Sequence, residues 1–201
     1  MNWTSWNRIR YTLYTPIYNV IRPAFDRARA TSISALHLKG GDHVLIVGGG
    51  TGLDLPYIPP NVYVTFTDIT PAMVAKAKRA KLAEGVQVDY KVADGSDLPY
   101  SDTHFDAVIL HLIVAVLPDP QGCIDECNRV LKKGGKIAIM DKFRESFKPS
   151  LGRKILNPVI KLFFTSINRR VEDYLPNNWE LLSDEGVLLG RTFRCIQLKK
   201  L

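Results

Sequence analysis

His43-Val-Leu-Ile-Val-Gly-Gly-Gly-Thr-Gly-Leu-Asp-Leu55 (HVLIVGGGTGLDL) is the stretch that decides the fold, because a short apolar run there ends directly in glycines. The run His43–Val47 is typical of a buried strand in a parallel sheet. The glycines that follow let the chain turn tightly and bring backbone N–H groups close to a ligand. The stretch therefore predicts a strand followed by a ligand-binding loop at residues 48–52.

The spacing of these glycines separates three kinds of ligand loop. A dinucleotide fingerprint that began at Gly48 would need a glycine at position 53, which is Leu53. A nucleotide triphosphate loop would end in Gly-Lys-Ser or Gly-Lys-Thr, which does not follow. The remaining pattern, Gly48-x-Gly50-x-Gly52, is compatible with S-adenosylmethionine, and a simple turn without a ligand stays open.

Strand-like and helix-like segments alternate on both sides of the loop. Strands are predicted at Val62–Thr67, Val86–Val92, Phe105–His111 and Lys136–Asp141. Helices are predicted at Pro23–Leu38, from Pro71 to Glu84 and from about Gln121 to Lys133, with a further helix over residues 3–21. Such alternation predicts βαβ units and a parallel sheet.

The end of the chain departs from this alternation. Trp179–Ser183 and Phe193–Leu198 are strand-like and are joined by a loop that contains glycines. The connection is too short for a helical crossover, so the two segments are expected to pair antiparallel.

Two acidic residues end neighbouring strands at the predicted ligand edge. Asp68 ends the second strand, 20 residues after Gly48, where a carboxylate can accept both hydroxyl hydrogens of a ribose. Asp94 ends the third strand, where it can accept from the exocyclic amine of adenine, and Gly95 is expected to leave room for the ring. The alternatives are that Asp68 only caps the next helix and that Asp94 only forms an Asx-turn.

Four stretches together resemble the successive motifs of the class I methyltransferases: VLIVGGGTGLDL, TFTDITPAM, VADGSDLPYSDTHFDAVIL and RVLKKGGKIAIMD. The resemblance covers residues 44–141 and is greatest to the group of ubiquinone/menaquinone-type and bacterial phosphatidylethanolamine N-methyltransferases. It implies an α/β fold, Rossmann-like, with a seven-stranded mostly parallel sheet, an antiparallel last strand and helices on both faces. It also implies S-adenosyl-L-methionine as cofactor, with binding residues Gly48, Gly49, Gly50, Gly52, Asp68, Ile69, Asp94, Gly95, Ser96 and His111.

One position departs from the pattern of the family. Two residues before the first glycine, these enzymes usually carry an acid that helps to hold the ammonium group of the cofactor, and here the residue is Ile46. Backbone carbonyls of the loop are the candidates to replace it.

Three residues are candidates for the chemistry at the methyl acceptor. His111 ends the fourth strand beside the expected methyl position, and its pKa range suits taking a proton from an ammonium or hydroxyl group. Tyr14 and Tyr18, with Tyr11, share one helical face near the N-terminus and could line the acceptor site. The alternatives are a histidine that only holds backbone or cofactor, and ordinary aromatic packing.

The charge distribution points to an anionic partner at the flanks. Residues 44–141 carry nine basic and twelve acidic side chains, while residues 142–201 carry twelve basic and six acidic ones. The segment 151–175 mixes large apolar with basic residues, which is typical of interfacial lipid binding, and Trp3 and Trp6 suit the same plane. The alternative is a lid helix packed on the core.

These observations predict transfer of a methyl group to a lipid or hydrophobic small molecule, first to an amine such as phosphatidylethanolamine. Alternatives are a quinone precursor, a thiol, or a nucleic acid, for which no base-methylating motif follows the fourth strand. The expected location is cytoplasmic, with peripheral contact to an anionic inner membrane face. The oligomeric state is open.

A single domain is expected over residues 1–201. It divides into N-terminal helices over the site (1–42), a cofactor-binding core (43–141), a basic apolar insert (142–177) and a C-terminal hairpin (178–201). No metal is expected, because Cys123 and Cys127 lie one helical turn apart without flanking histidines and are expected to be small buried side chains.

Overall fold

A computed structural model describes residues 25–143, 169–188 and 191–201. These residues form one seven-stranded sheet in the order β3-β2-β1-β4-β5-β7-β6. The strands are β1 His43–Val47, β2 Tyr63–Asp68, β3 Gln87–Val92, β4 Phe105–His111, β5 Leu131–Lys142, β6 Trp179–Leu188 and β7 Phe193–Lys200. The described helices are α1 (residues 25–34), α2 Pro71–Ala77 and α3 Pro120–Val130, with 3-10 turns at Leu55–Tyr57 and Val171–Asp173.

The direction of the strands confirms the predicted fold class. Strands β1 to β5 run parallel, whereas β7 pairs antiparallel with both β5 and β6. Strand β1 lies between β2 and β4, so the strand order reverses there and the chain leaves β1 and β4 towards opposite halves of the sheet. In open α/β sheets, the crevice at such a reversal is where ligands bind.

Both faces of the sheet are covered, as the alternation of elements predicted. One face packs against α1 and α2, through residues such as Ile33 and Val74. The other face packs against α3, whose N-cap Asp119 accepts a hydrogen bond from the backbone N–H of Gly122 (2.9 Å). The central strands are therefore apolar on both sides, which explains the continuous apolar runs in the sequence.

Several elements have other bounds than the sequence predicted: α1 ends at residue 34 instead of 38, β5 begins at Leu131 instead of Lys136, and β6 extends to Leu188 instead of Ser183. Helix α2 ends at Ala77 instead of Glu84, and its last turn tightens to a 3-10 pattern, with Arg79 N–H donating to the Lys76 carbonyl. Four cations within residues 76–81 repel one another at helical spacing, which disfavours a longer helix. Helix α3 ends at Val130, because Leu131 is already extended and pairs with Phe105 as the first residue of β5.

All three cysteines are buried, as expected for Cys123 and Cys127. Cys123 and Cys127 lie on α3 in the core of one face. Cys195 lies on the opposite face, under α1, with its Sγ atom 4.0 Å from the Ala28 carbonyl oxygen.

Several predictions fall outside the described residues. They concern the helix over residues 3–21, the tyrosines Tyr11, Tyr14 and Tyr18, the tryptophans Trp3 and Trp6, and the part of the insert before Arg169. Among the described residues, no helix combines the length and the apolar composition that crossing a bilayer would require.

Candidate active site

The glycine loop turns sharply at the carboxyl end of β1. Gly48, Gly50 and Gly52 all have positive φ angles, of 62°, 57° and 82°. Residues that carry a side chain rarely adopt this backbone conformation. A Cβ atom on Gly48 would lie 2.5 Å from Cγ1 of Ile113, whereas a Cβ atom on Gly50 would meet nothing within 4 Å. The loop therefore rests against the protein at its base and opens to free space at Gly50.

Asp68 lies directly beside this opening, at the end of β2. Its Oδ2 accepts the backbone N–H of Gly50 (2.9 Å), and its Oδ1 accepts the backbone N–H of Thr70 (2.8 Å). The residue is only 8% exposed, and each carboxylate oxygen retains a lone pair that can accept a further hydrogen bond. Asp68 thus touches the start of α2 and the glycine loop at once, and it can receive hydroxyl groups above Gly50.

The residue after Asp68 adds an apolar surface to the same edge. Ile69 is 65% exposed, which is unusual for an isoleucine next to a buried strand. Ile46, where related enzymes carry an acid, is buried in the core of the α1 face. The apolar Ile46 side chain is thus part of the packing beneath the loop.

Asp94, Gly95 and Ser96 form a turn after β3. The Asp94 Oδ1 accepts from the backbone N–H (2.9 Å) and the hydroxyl (2.7 Å) of Ser96, so the carboxylate forms the Asx-turn considered above. The expected reason for Gly95 needs correction, because a Cβ there would lie 2.8 Å from Val47 Cγ1 and 3.1 Å from Cys123 Sγ. Protein packing, and not room for a ring, requires glycine at that position.

His111 lies at the end of β4 in a buried polar network. Its Nδ1 lies 2.7 Å from Asp54 Oδ1, which also accepts from Arg29 Nη1 (2.5 Å). Its Nε2 lies 3.0 Å from the Ser32 hydroxyl, and Gln197 Nε2 donates to the Ser32 carbonyl (3.0 Å) and hydroxyl (3.3 Å). Each of these five side chains belongs to a residue at most 5% exposed. With α1 docked, the His111 ring is fully buried and its Nε2 faces the Ser32 hydroxyl.

The electrostatics of this network keep Asp54 ionised. Burial alone would raise the pKa of Asp54, but the charges and hydrogen bonds of His111 and Arg29 outweigh burial and lower the pKa to about 2. An ionised Asp54 accepts a hydrogen bond from Nδ1–H of His111, so that in the neutral form of the ring Nε2 is the acceptor for the Ser32 hydroxyl.

The network residues Arg29, Ser32 and Asp54 were not among the predicted site residues. Arg29 and Ser32 lie on the same helical stripe as the buried Phe25, Ile33 and Leu36, and an arginine on such a stripe is an available signal of a buried ion pair. Its partner, Asp54, stands between two leucines, which is a second signal of the same kind.

The loop after β4 completes the edge and is held from the opposite face. Leu112 has φ 59°, a strained conformation for a residue with a side chain. The buried Asp141, at the end of β5, accepts the backbone N–H groups of Ala115 and Lys142, both at 2.8 Å. Burial raises the pKa of Asp141 to about 6, against the lowering effect of these two hydrogen bonds.

Two basic residues of the predicted membrane-binding insert are engaged by the protein. Arg169 donates to the carbonyl oxygens of Val114 (2.9 Å) and Leu117 (2.7 Å), and therefore ties the end of the insert to the loop after β4. Arg170 lies near the carboxylates of Glu172 and Asp173, at 3.8 and 3.4 Å. Neither side chain is a free surface cation, contrary to the expectation for this pair.

The described residues fit the sulfonium cofactor that the sequence implied. The open space above Gly50, the nearby Asp68 carboxylate and the exposed Ile69 side chain offer backbone N–H groups, a diol acceptor and an apolar surface at one edge. Among the described residues, no group of three or more metal-ligating side chains occurs.

Comparisons with known proteins agree with this geometry. Residues 45–139 match the family described as methyltransferase domain. The chain is 31% identical over 142 residues to a phosphatidylethanolamine N-methyltransferase of Cereibacter sphaeroides, covering 70% of this chain and 68% of that protein. It is 32% identical over 126 residues to a ubiquinone/menaquinone biosynthesis C-methyltransferase of Neisseria meningitidis, covering 60% of this chain and 51% of that protein.

Solved structures show the same fold at lower sequence identity. A SAM-dependent methyltransferase from Aquifex aeolicus superimposes with a TM-score of 0.60 at 20% identity, covering 86% of this chain and 89% of that one. Several other curated relatives are longer, and the chain spans 42% of their length.

Proposed function

Because the chain belongs to the S-adenosylmethionine-dependent methyltransferases, we propose that it methylates the amine of a lipid such as phosphatidylethanolamine. The observation that carries the proposal is the similarity to a phosphatidylethanolamine N-methyltransferase over more than two thirds of both chains. The acceptor assignment is the proposed part.

When bound, the cofactor would supply a methyl group attached to a positively charged sulfur. The acceptor attacks the methyl carbon in line with the carbon–sulfur bond, and the sulfur leaves as a neutral thioether. The residues of the chain bind and orient the cofactor, because alignment and exclusion of water supply most of the rate enhancement in such a displacement. We assign the methionine part to Gly48–Gly52, the ribose to Asp68 and Ile69, and the adenine to Asp94–Ser96.

His111 is the proposed proton acceptor for an ammonium substrate. Its Nδ1 is held by Asp54, so Nε2 is the ring nitrogen that can receive a proton once its contact with the Ser32 hydroxyl opens. Tyr14 and Tyr18, which lie outside the described ranges, are proposed to line the acceptor site. His111→Ala should lower kcat by on the order of a hundredfold if His111 acts as a base.

A methyl-transfer assay with labelled cofactor tests the acceptor. Vesicles that contain phosphatidylethanolamine are compared with a quinone precursor, a small thiol and RNA. Label in the phospholipid fraction is expected. Label only in the quinone precursor would support the second candidate, which the similarity to a quinone C-methyltransferase favours, and would overturn the lipid amine.

Asp68→Ala tests the proposed cofactor site. The change removes charge-assisted hydrogen bonds to the ribose, each worth about 1.5–3 kcal/mol before compensation. The dissociation constant of S-adenosylhomocysteine, measured by calorimetry, should rise at least about tenfold. The matched control is Asp106→Ala, which should leave binding unchanged. Asp106 lies near the start of β4, at the opposite end of the strands from the proposed cofactor site. Unchanged affinity in Asp68→Ala would contradict the assignment.

Peripheral contact with an anionic membrane surface is the remaining part of the proposal. Each basic residue near such a surface contributes about 1 kcal/mol, and salt weakens this contribution. Because Arg169 and Arg170 are engaged by the protein, the test changes Arg153 and Lys154 to Ser and leaves that pair intact. Flotation with anionic vesicles at low salt should fall, whereas changing Arg79 and Lys81 to Ser, as control, should not affect it. Wild-type protein that does not float would refute membrane contact.

A further inference from the structure

We propose that Arg29, Ser32 and Asp54 are positioning residues that join helix α1, His111 and the glycine loop into one unit, so that docking of α1 and binding of the cofactor stabilise each other. The inference rests on the proposed placement of the cofactor at the glycine loop. It does not depend on which acceptor is methylated.

Asp54 connects the network to the loop along the chain. It follows Gly52 by two residues, and the next backbone N–H, that of Leu55, donates to the Gly52 carbonyl (3.2 Å). The carboxylate therefore stands on the last turn of the loop. A displacement of Asp54 would therefore also move the chain at Gly52, two residues earlier.

His111 connects the network to the opposite end of the loop. The N–H of the next residue, Leu112, donates to the Met140 carbonyl (2.7 Å), which fixes the chain where it leaves β4. One residue further, the Ile113 side chain fills the position that a Cβ on Gly48 would occupy. Asp54 thus holds the end of the glycine loop at Gly52, and His111 holds the end at Gly48. One hydrogen bond joins these two residues.

Helix α1 supplies the remaining partners. Arg29 and Ser32 are three residues apart on one helical face, and each contacts one member of the Asp54–His111 pair. These contacts exclude water, so an undocked α1 would leave Asp54 without its guanidinium partner beside the loop. Any ligand that holds the loop in its docked geometry must therefore also favour docked α1, because the coupling between two sites is reciprocal.

The arrangement indicates positioning for Arg29 and Ser32 and no direct contact with a reacting atom. Both side chains are buried, and their hydrogen bonds go to Asp54 and His111 and not to the residues of the glycine loop. If the two residues position α1 and the loop, their loss should change cofactor affinity and the opening of α1 more than the stability of the sheet. The experiment therefore measures affinity and local opening.

The decisive variant is Asp54→Asn, which keeps the shape of the side chain and removes its charge. The matched control is Asp106→Asn, because Asp106 also accepts from a cation, Lys132 (2.7 Å), but at the other edge of the sheet. Two quantities are measured: the dissociation constant of S-adenosylhomocysteine by calorimetry, and amide hydrogen exchange in residues 25–34 with and without it.

In the wild type and in Asp106→Asn, S-adenosylhomocysteine should slow amide exchange in α1. In Asp54→Asn, the dissociation constant should rise about tenfold or more, and α1 should exchange rapidly even with ligand, while β4 and β5 remain protected. Ser32→Ala, a milder change that keeps both charges, should show the same two effects at a smaller size if Asp54→Asn does not fold.

Wild-type affinity together with wild-type exchange of α1 in a folded Asp54→Asn or Ser32→Ala variant would overturn the inference. Because neither measurement involves a methyl acceptor, failure of the lipid assay would refute the proposed acceptor and leave this result standing. Absence of S-adenosylhomocysteine binding to wild-type protein would instead refute the cofactor site itself.

Discussion

Two of the buried carboxylates near the carboxyl ends of the strands lie on opposite faces of the sheet, Asp54 on the α1 face and Asp141 on the α3 face. Burial disfavours the charged form of both, yet the pKa of Asp54 falls to about 2 and that of Asp141 rises to about 6. The difference lies in the partners. His111 and Arg29 contact the Asp54 carboxylate directly, at 2.7 and 2.5 Å, and their effects exceed that of burial. Asp141 accepts only neutral backbone N–H groups, and these together with the charges of Lys142 and Arg169 do not offset burial. Equal burial therefore leads to opposite protonation behaviour.

The comparison assigns different tasks to the two faces. On the α1 face, the low pKa of Asp54 keeps the ion pair with Arg29 charged at neutral and mildly acidic pH, and this pair joins α1 to the residue that follows the glycine loop. On the α3 face, a carboxylate that titrates near neutrality holds the backbone of the loop after β4. Three predictions test the contrast, in order of decreasing effect.

Arg29→Met should have the largest effect on stability. It leaves the Asp54 carboxylate buried without its cation, and breaking a buried pair in this way typically costs about 3–5 kcal/mol. The free energy of unfolding at pH 7, from urea titration, measures the loss. Arg29→Lys, which keeps the charge, should lose less. A loss below about 1 kcal/mol in Arg29→Met would remove the distinction between the two faces.

Asp141→Asn should change the pH dependence of stability in the direction opposite to Asp54. The pKa of Asp141 is raised in the folded state, from 3.8 to about 6, so the folded protein binds a proton that the unfolded chain has released between these pH values. Stability from this group is present below pH 3.8 and is lost as pH rises through about 6, by about 3 kcal/mol in total.

The asparagine variant lacks this term. Its stability relative to wild type should therefore improve by up to about 3 kcal/mol between pH 4 and pH 7, measured by urea titration at each pH. For Asp54, whose folded pKa is lowered, the corresponding stability is present above pH 3.8 and is lost as pH falls towards 2. A pH-independent difference between Asp141→Asn and wild type would contradict the contrast.

Asp106→Asn should have the smallest effect. This carboxylate accepts from Lys132 Nζ (2.7 Å) and from the backbone N–H of His43 (2.9 Å), but it is partly exposed to solvent. Burial alone would raise the pKa of Asp106, but the hydrogen bonds and charges of Lys132 and His43 outweigh burial and hold this pKa below its usual value. Partly exposed pairs contribute little, so the variant should lose about 1 kcal/mol or less in urea titration. A loss as large as that of Arg29→Met would show that burial is not what separates these pairs.

The sequence predicts the fold well because strands and glycines leave local signals. The bounds of β1 and β4 agree with prediction. Each strand is an apolar run that ends in a glycine or a polar residue, so its bounds can be recognised from adjacent residues in the sequence. Helix α2 was predicted too long. Each lysine or arginine after Ala75 favours a helix individually, but the positive charges repel one another at helical spacing.

The network around His111 could be predicted only in part. The pattern places His111 at the end of β4, but its partners Asp54 and Ser32 are 57 and 79 residues away in the chain. No periodicity specifies which buried polar groups will meet across such distances. The packing of Gly95 was missed for the same reason, because Val47 and Cys123 come from two other elements.

The three buried cysteines give the protein a built-in chemical probe of its own motions. Burial raises the pKa of Cys195 to about 11, and the contact with Cys123 together with burial raises the pKa of Cys127, so these two thiols should be unreactive in the native state. Cys123 is fully buried and therefore equally inaccessible to a reagent. Cys195 lies beneath α1, whereas Cys123 and Cys127 lie within the opposite core. A thiol reagent should therefore modify Cys195 whenever α1 lifts, and modify the other two only when the whole domain unfolds.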